Sequence, residues 1–157
     1  MSNHGIRFEI PNQYGSFLAD ILEMIPFDEY KWLIDDDEIH LVENGEMVGR
    51  FLFNNEERIM LGETLFTRAS SSTYYMIFVT LKGFFPDDSV QTIRTYREFL
   101  ESQCQIVLVV SDCSDVFLWC KDVQLIKYAY DYATLKGYEG VSYAVEDDLI
   151  AERYRLY

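Results

Sequence analysis

The chain has 157 residues, the length of one ordinary domain, and 49% of them are hydrophobic, which excludes a disordered chain. Acidic residues number 27 against 13 basic ones, a formal net charge of −14, so direct binding to nucleic acid or to an anionic membrane surface is disfavoured. The first residues do not follow the pattern of a secretory signal, and the longest apolar runs are too short to cross a bilayer. We expect one domain over residues 1–157, with no membrane attachment.

The first half of the chain predicts alternating strands and helices. Alternation of apolar and polar side chains indicates strands, and apolar side chains at helical spacing indicate helices. Proline and Asn-Gly mark the ends of several elements. The predicted elements are a strand at 5–10, a helix at 14–25, strands at 30–34, 39–43 and 48–53, a turn at 44–45, and a helix at 57–69 that is weakened by Gly62.

The second half repeats this alternation. Residues 74–81 are apolar almost throughout and rich in β-branched and aromatic side chains, which predicts a central strand. The helix predicted at 122–136 ends at Lys136 and Gly137, a pair of residues typical of helix C-termini. The remaining predictions are a helix at 90–103, a hairpin of strands at 105–111 and 116–121, a helix at 122–136, a strand at 141–146, and a short helix or arm at 147–157.

These elements predict an α+β domain. Most neighbouring strands are joined by short turns, so the sheet is expected to be mixed or mostly antiparallel with helices packed on it. Both halves run strand, helix, strand, strand, helix, which suggests two β-α-β-β-α halves without any residue-level repeat.

Three ordered blocks of the sequence form a recognisable pattern. One block is GIRFEIPN at residues 5–12, with Tyr14 and Gly15 after it, and another is EFLESQCQIVLVV at residues 98–110, continuing to 120–122. The third is KGYE at residues 136–139, before the last strand. Together these blocks resemble a family of small soluble proteins of unknown function from Bacillus-type bacteria. The resemblance implies a Gram-positive, cytoplasmic protein and supplies no activity and no functional residues.

The cysteines and histidines predict neither a disulfide nor a catalytic or zinc site. Cys104, Cys113 and Cys120 are odd in number and lie in or beside predicted strands, which favours reduced thiols in a cytoplasmic protein. Cys113, at a hairpin tip, is expected to be the most reactive. His4 and His40 do not follow any metal-binding spacing with these cysteines, so no metal and no cofactor is expected.

Four consecutive acids, Asp35, Asp36, Asp37 and Glu38, lie between two apolar stretches. Consecutive residues of an extended chain point to opposite faces, so at most two of the four converge on one cation. Acids also stabilise turns through their own backbone. We expect an exposed turn without a metal; the alternatives are a surface for a basic partner and, least favoured, metal binding or catalysis.

Tyrosines are concentrated near the last helix and strand, where Tyr130 and Tyr138 are candidates for a partner contact. Aromatic packing of helix on sheet explains the same residues, but tyrosine near acids is also typical of protein interfaces. Because enzyme motifs are lacking, we expect a non-enzymatic acidic binding protein of the inhibitor, immunity or antitoxin type that engages a basic protein surface through residues 35–38, Tyr130 and Tyr138. The alternative is a small-molecule-binding domain, or an enzyme that uses clustered carboxylates.

Overall fold

The computed structural model describes the backbone of residues 3–145 and the side chains of residues 5–144. The eight strands in this part of the chain form one sheet in which every strand pair is antiparallel. The elements are β1 (Asn3–Glu9), α1 (Phe17–Leu22), β2 (Lys31–Glu43), β3 (Glu46–Phe51), β4 (Ile59–Leu61), α2 (Gly62–Ser70), β5 (Thr73–Phe84), α3 (Tyr96–Glu101), β6 (Cys104–Ser111), β7 (Asp115–Cys120), α4 (Val123–Leu135) and β8 (Glu139–Val145), with a 3-10 turn at Phe27–Glu29.

The α+β class and the mostly antiparallel sheet are confirmed. The strand order is β3-β2-β5-β6-β7-β1-β8, and β4 pairs with the same edge of β2 as β3 does. The strand predicted at 74–81 is β5, which lies inside the sheet as predicted, and the strand predicted at 105–111 is β6, its neighbour. The Asn44–Gly45 turn joins β2 to β3 with φ of 55° and 78°, values that fit a tight hairpin turn.

The expected exposed turn at residues 35–38 is wrong, because these residues belong to the continuous strand β2. Strand β2 stays paired with β5 on both sides of the acids, with Ile34 opposite Leu81 and Asp36 opposite Thr80. The register shifts between Ile34 and Asp36 and again between Glu38 and Ile39. Such a bulge bends the strand and re-aims side chains without ending it.

The helix predicted at 57–69 is only partly correct. Residues Ile59–Leu61 form β4 against β2, and the helix begins at Gly62. A Cβ atom at Gly62 would lie 1.8 Å from the carbonyl oxygen of Phe27, so the chain passes there only with glycine. The glycine that weakened the helical prediction therefore marks the start of α2.

The helix predicted at 90–103 is also shorter, while the helix predicted at 122–136 is confirmed as α4. The hydroxyl of Thr95 accepts a hydrogen bond from the backbone N–H of Glu98, which caps the helix and makes Tyr96 its first residue. The preceding residues, 85–95, are irregular. Helix α1 is likewise limited to the middle of its predicted range, 14–25.

One face of the sheet is covered by α1, α2 and α4 and contains the larger core. The hydroxyl of Tyr74 on β5 donates to the carbonyl of Ala69 on α2 over 2.7 Å, and the indole N–H of Trp32 donates to the carbonyl of Phe27 over 3.0 Å. Burying each large apolar side chain stabilises the fold by about 1.5–3 kcal/mol. Core residues contributed by the strands include Ile6, Phe8, Ile34, Ile39, Val79, Leu81, Ile106, Leu108, Val110, Val116 and Leu118.

Among the described residues, those that cover the second face of the sheet lie at one end of it. Helix α3 and the preceding segment pack there over a smaller cluster of Phe84, Ile93, Tyr96, Phe99, Cys104, Val107 and Trp119. The remainder of this face we call the open face. It is defined by one row of residues in register across six strands: Asp36, Thr80, Val109, Phe117, Arg7 and Ser142.

The two β-α-β-β-α halves remain a prediction. The element order is compatible with them, but the pairing interleaves the two parts of the chain, because β1 lies between β7 and β8. The short helix or arm expected at 147–157 lies outside the described residues.

Candidate binding face

A cleft of about 490 Å³ lies on the open face where β6, β7, β1 and β8 run side by side. Side chains two residues apart on a strand share a face, so β1 contributes Arg7 and Glu9, and β7 contributes Asp115, Phe117 and Trp119. Its volume is within the range of protein ligand sites. The cleft therefore combines aromatic rings with charged groups of both signs.

Aromatic side chains form a fixed floor beneath the cleft. The guanidinium of Arg7 lies 4.7 Å from the ring centre of Phe117, a cation–π distance. The rings of Phe117 and Trp119 meet edge to face at 5.6 Å, and Trp119 meets Tyr96 of α3 in the same way at 5.3 Å. Through Trp119, packing against α3 thus fixes the position of the Phe117 ring under the guanidinium.

Three carboxylates stand in one row at the end of the cleft. Glu9 is in register with Asp115 on β7 and with Glu139 on β8. Like charges directly opposite each other in a sheet repel and destabilise it. This row therefore creates a negative potential that favours a positively charged group beside the cleft.

Carboxylates also stand at the other side of the open face. Asp36 and Glu38 of β2 are in register with Thr80 and Phe78 of β5. Neighbouring strands lie about 4.8 Å apart, so Asp36 is separated from the cleft by the width of two or three strands, roughly 10–15 Å. The open face thus has aromatic rings and Arg7 at its centre and acids on both sides.

Three of the four acids in the 35–38 run are engaged by groups of the fold itself. Lys82 of β5, whose side chain is 1% exposed, donates to the carboxylate of Asp35 and, over 2.7 Å, to the carbonyl of Ile93. A buried ammonium needs such partners, because an unpaired charge in the interior is costly. Asp35 is therefore the counter-ion of a buried lysine.

Asp37 and Glu38 also have partners within the fold. Arg58 donates to Asp37 over 2.6 Å and, through Nε, to the carbonyl of Ile34 over 3.0 Å, so it binds the bulged part of β2. Nε2 of His40 lies 2.8 Å from the carboxylate of Glu38. Asp36 is exposed on the open face.

The two tyrosines predicted to contact a partner are not brought together with the acidic run. Tyr130 of α4 stacks on Tyr143 of β8 with ring centres 4.2 Å apart, and Tyr138 stacks on Phe8 of β1 at 5.4 Å. Burial raises the pKa of Tyr138 to about 12. Both rings pack beside the larger core near β1 and β8, at the opposite end of the strand order from β2.

Sequence reasoning missed the residues of the cleft. The alternation in GIRFEI places Arg7 and Glu9 on the face opposite Ile6 and Phe8. That pattern signals a strand with one polar face. The meeting of this face with Phe117 depends on the pairing of β1 with β7, which spans more than a hundred residues of sequence.

The three thiols differ in exposure. Cys104 and Cys120 are buried, and burial raises the pKa of both, that of Cys104 to about 12. Cys113 is half-buried at the tip of the β6–β7 hairpin with φ of 68°. Its hydrogen bond to the side chain of Tyr75 raises the pKa of that tyrosine. All three are free cysteines.

Residues 3–145 contain neither a metal-binding cluster nor a helix that could span a membrane. Within that range, no group of three or more His, Cys, Asp or Glu side chains is arranged to hold a metal ion. The described helices include none with the length and apolar character needed to cross a membrane.

Comparison with known proteins places the chain in a family. The chain is 34% identical to the uncharacterized protein YncE of Bacillus subtilis (strain 168) over 146 residues, which covers 93% of this chain and 94% of that protein. A search of the solved structures found no match. The model of the family described as protein of unknown function (DUF2691) matches residues 3–155. The resemblance seen in the sequence is thereby confirmed, and the chain belongs to the DUF2691 family.

Proposed function

We propose that this protein is a non-enzymatic, acidic binding protein whose open face binds a basic segment of a partner protein. The observation that carries the proposal is the row of three carboxylates, Asp115, Glu9 and Glu139, beside an aromatic cleft. Lysine and arginine side chains combine an apolar stem with a charged head, and such a cleft receives both parts.

The fold contains its own example of this recognition. Arg7 precedes Glu9 by two residues on β1, and its guanidinium lies over the ring of Phe117. A cation above an aromatic ring and close to carboxylates is stabilised by both groups. An arginine of a partner would find the same chemistry next to Arg7, on the side of Asp115 and Glu139.

This proposal limits the direct partner contact within residues 35–38 to one residue. Asp36, exposed on the open face, is the member of the run to which we assign a direct contact. Asp35, Asp37 and Glu38, engaged by Lys82, Arg58 and His40, are assigned a supporting role in holding β2. Tyr130 and Tyr138 pack elsewhere and take no direct part.

The net charge of −14 supports fast association with a basic partner, since long-range attraction raises the rate of encounter. We propose a cytoplasmic location, which three free cysteines support, because thiols persist unpaired in reducing compartments. The family assignment is compatible with this location without adding a function.

A small-molecule ligand is the second candidate, and the volume of the cleft, about 490 Å³, favours it. The two candidates differ in their dependence on salt. Attraction of a basic protein segment by exposed carboxylates weakens steeply as the ionic strength rises. Binding of a small, largely apolar ligand to the aromatic floor changes little.

The test captures host proteins on the immobilised full-length chain at low and high salt and identifies them by mass spectrometry. The variant carries Glu9→Gln, Asp115→Asn and Glu139→Gln, and the control carries the same charge change at Glu56, Glu63 and Asp131, exposed acids away from the cleft. We expect a basic protein that the wild type and the control retain at low salt and the cleft variant loses. Equal retention by both variants would contradict the assignment of the site.

A further inference from the structure

We infer that a second pocket, on the same face of the sheet as the cleft, binds a neutral sugar that carries an acetamido group. It lies near the β2–β3 end of the strand order, whereas the cleft lies near the β1–β8 end. Its cavity volume is about 470 Å³, and we call it the corner pocket. The described residues that line it are Asn12, Gln13, Tyr14, Met47 and Tyr75. The corner pocket is separate from the proposed partner site and takes a different class of ligand.

The alternation of side chains along the strands places the corner pocket on the second face of the sheet. Tyr75 of β5 is in register with His40 of β2. Their neighbours Met76 and Ile39 belong to the larger core, and consecutive side chains of a strand point to opposite faces. Tyr75 therefore points away from the larger core, and Met47 of β3 lines the same pocket beside it.

The loop that contributes three of the lining residues is fixed to the sheet at both ends. Gly15 and Tyr74 of β5 exchange two backbone hydrogen bonds, of 3.1 and 2.9 Å. The backbone N–H of Ile10 donates to the carbonyl of Ser114 over 2.9 Å. Because only a short stretch lies between these two attachments, its side chains are held in place before a ligand binds, which lowers the entropic cost of binding.

Tyr75 orients the side chain of Asn12. Its hydroxyl donates to Oδ1 of Asn12 over 2.5 Å, and its ring meets that of Tyr14 edge to face at 5.7 Å. Since Oδ1 is the acceptor in this bond, Asn12 keeps its two amide protons for a ligand. Within residues 5–144, neither these protons nor the side-chain amide of Gln13 take part in another hydrogen bond.

The lining of the corner pocket favours a neutral ligand. The five side chains carry no formal charge, in a chain whose net charge is −14. The field of the whole chain repels anions, and cations are attracted more strongly to the carboxylates beside the cleft. A neutral ligand is held by packing and hydrogen bonds, which two phenol rings, a thioether and two amides supply.

A sugar with an acetamido group matches each of these contacts. One side of a pyranose ring presents C–H groups, which pack on an exposed aromatic ring such as that of Tyr14. The acetamido group has one N–H and one carbonyl, and the amides of Asn12 and Gln13 offer the complementary donors and acceptor. Its methyl group fits against the exposed thioether of Met47. The ring, the amide and the methyl group thus each have a partner in the pocket.

An NMR titration of the full-length, isotope-labelled protein with N-acetylglucosamine tests the inference. We expect the side-chain amide signals of Asn12 and Gln13 and the backbone amide signals of Tyr14 and Met47 to shift, with a Kd on the order of 1 mM. The backbone amide signal of Ser142, in the cleft, is expected not to move. Unshifted signals at the corner pocket in about 20 mM N-acetylglucosamine, roughly twenty times that Kd, would overturn the inference.

Two further ligands separate the parts of the inferred ligand. Glucose lacks the acetamido group, and nicotinamide carries its amide on a planar aromatic ring. Each loses one set of contacts and is expected to bind about tenfold or more weakly than N-acetylglucosamine. Equal or tighter binding of glucose would contradict the role of the amides, and equal or tighter binding of nicotinamide would contradict a sugar as the ligand.

Paired variants test the location of the site. Gln13→Ala with Tyr14→Ala is expected to weaken binding of N-acetylglucosamine by about tenfold or more. The control, Gln124→Ala with Tyr128→Ala, makes the same changes at exposed positions of α4 and is expected to bind as the wild type does. Equal affinities of the two double variants would overturn the assignment of the site.

Cys113 provides a second measurement that needs no substitution. Its side chain is hydrogen-bonded to that of Tyr75, so a sugar in the corner pocket lies beside the thiol. N-acetylglucosamine at about 20 mM is expected to slow the reaction of Cys113 with a disulfide reagent severalfold, because most pockets are then occupied. A reaction rate that does not change with the sugar would contradict this placement.

Discussion

Lys82 on β5 holds Asp35 on β2 through an ammonium group whose side chain is 1% exposed. The same ammonium binds the carbonyl of Ile93, in the irregular segment before α3. One buried charge therefore joins two neighbouring strands to the part of the chain that covers the second face. The partly closed form of that face depends on this contact, because the segment 85–95 has little regular structure of its own.

Replacement of Asp35 by asparagine is expected to lower the free energy of unfolding by about 1–3 kcal/mol, since Lys82 would keep a buried charge without its counter-ion. The side chain of Asp35 is 44% exposed, so solvent screening holds the loss below that of a fully buried pair. Urea unfolding measures the change. Asp36→Asn, the same substitution one residue along, is the control and is expected to change stability by less than about 0.5 kcal/mol. Similar losses in both variants would contradict the structural role of Asp35.

Gly62 is expected to tolerate no side chain. A Cβ atom would lie 1.8 Å from the carbonyl oxygen of Phe27, and backbone must shift to relieve the clash. Gly62→Ala should therefore reduce the free energy of unfolding by at least ~2 kcal/mol, or prevent folding, although alanine favours helices. The control is Gly45→Asn, at a turn with open space and φ of 78°, where asparagine is tolerated. A stable Gly62→Ala variant would show that the Phe27 turn can move.

The three thiols are expected to react with a disulfide reagent at very different rates. Cys113 should react first, because it is half-exposed at a hairpin tip while Cys104 and Cys120 are buried with raised pKa values. The two buried thiols should react only as fast as the fold opens. Absorbance of the released thiol follows the reaction, and Cys113→Ser should remove the fast phase alone. One uniform slow phase in the wild type would contradict the hairpin geometry.

Stability is expected to fall in alkaline solution between about pH 10 and 12. Burial raises the pKa of Tyr30 and of Tyr138 to about 12, from an ordinary value of 10.0. Below about pH 10 both the folded and unfolded chains keep these two protons, so the contribution of the two phenols is complete. The buried thiols of Cys104 and Cys120, whose pKa values burial raises from 9.0, add a loss that begins near pH 9. As the pH rises further, the unfolded chain releases the phenol protons first and the free energy of unfolding decreases.

Urea unfolding at several pH values measures this decrease. Tyr30→Phe removes one of these two buried phenols and should make the fall above pH 10 less steep. Tyr128→Phe, at an exposed position on α4, is the control and should follow the wild type. A wild-type curve that is flat from pH 9 to 12 would contradict the burial of these phenols.

Local pattern was enough to locate most elements. Strands β1, β5, β6 and β7 and helix α4 appear close to where apolar periodicity predicted them, because alternation and helical spacing reflect which side of an element is buried. The hairpin turn at Asn44 was likewise visible, since Asn-Gly adopts positive φ easily. The predicted helix boundaries were less accurate where a cap, such as Thr95, or a close backbone approach, as at Gly62, determines where the helix begins.

The acidic run shows why the candidate site was harder. Four adjacent carboxylates repel one another in an isolated chain, which favoured a solvated turn. In the fold, Lys82 and Arg58 come from 47 and 21 residues away and compensate the charges of Asp35 and Asp37, so β2 continues through them. Charge compensation at that separation depends on which strands pair, and strand pairing cannot be predicted from a short segment of sequence.

By itself, the sequence determined the α+β class, the acidity and the family resemblance, because composition and periodicity express burial and charge residue by residue. The tertiary structure alone decided that Arg7 meets Phe117, that Glu9 stands between Asp115 and Glu139, and that the described residues cover only part of one sheet face. These relations arise from the register of β1 between β7 and β8. Register is set by the sum of many long-range contacts, and for that reason the binding face becomes visible only in the folded chain.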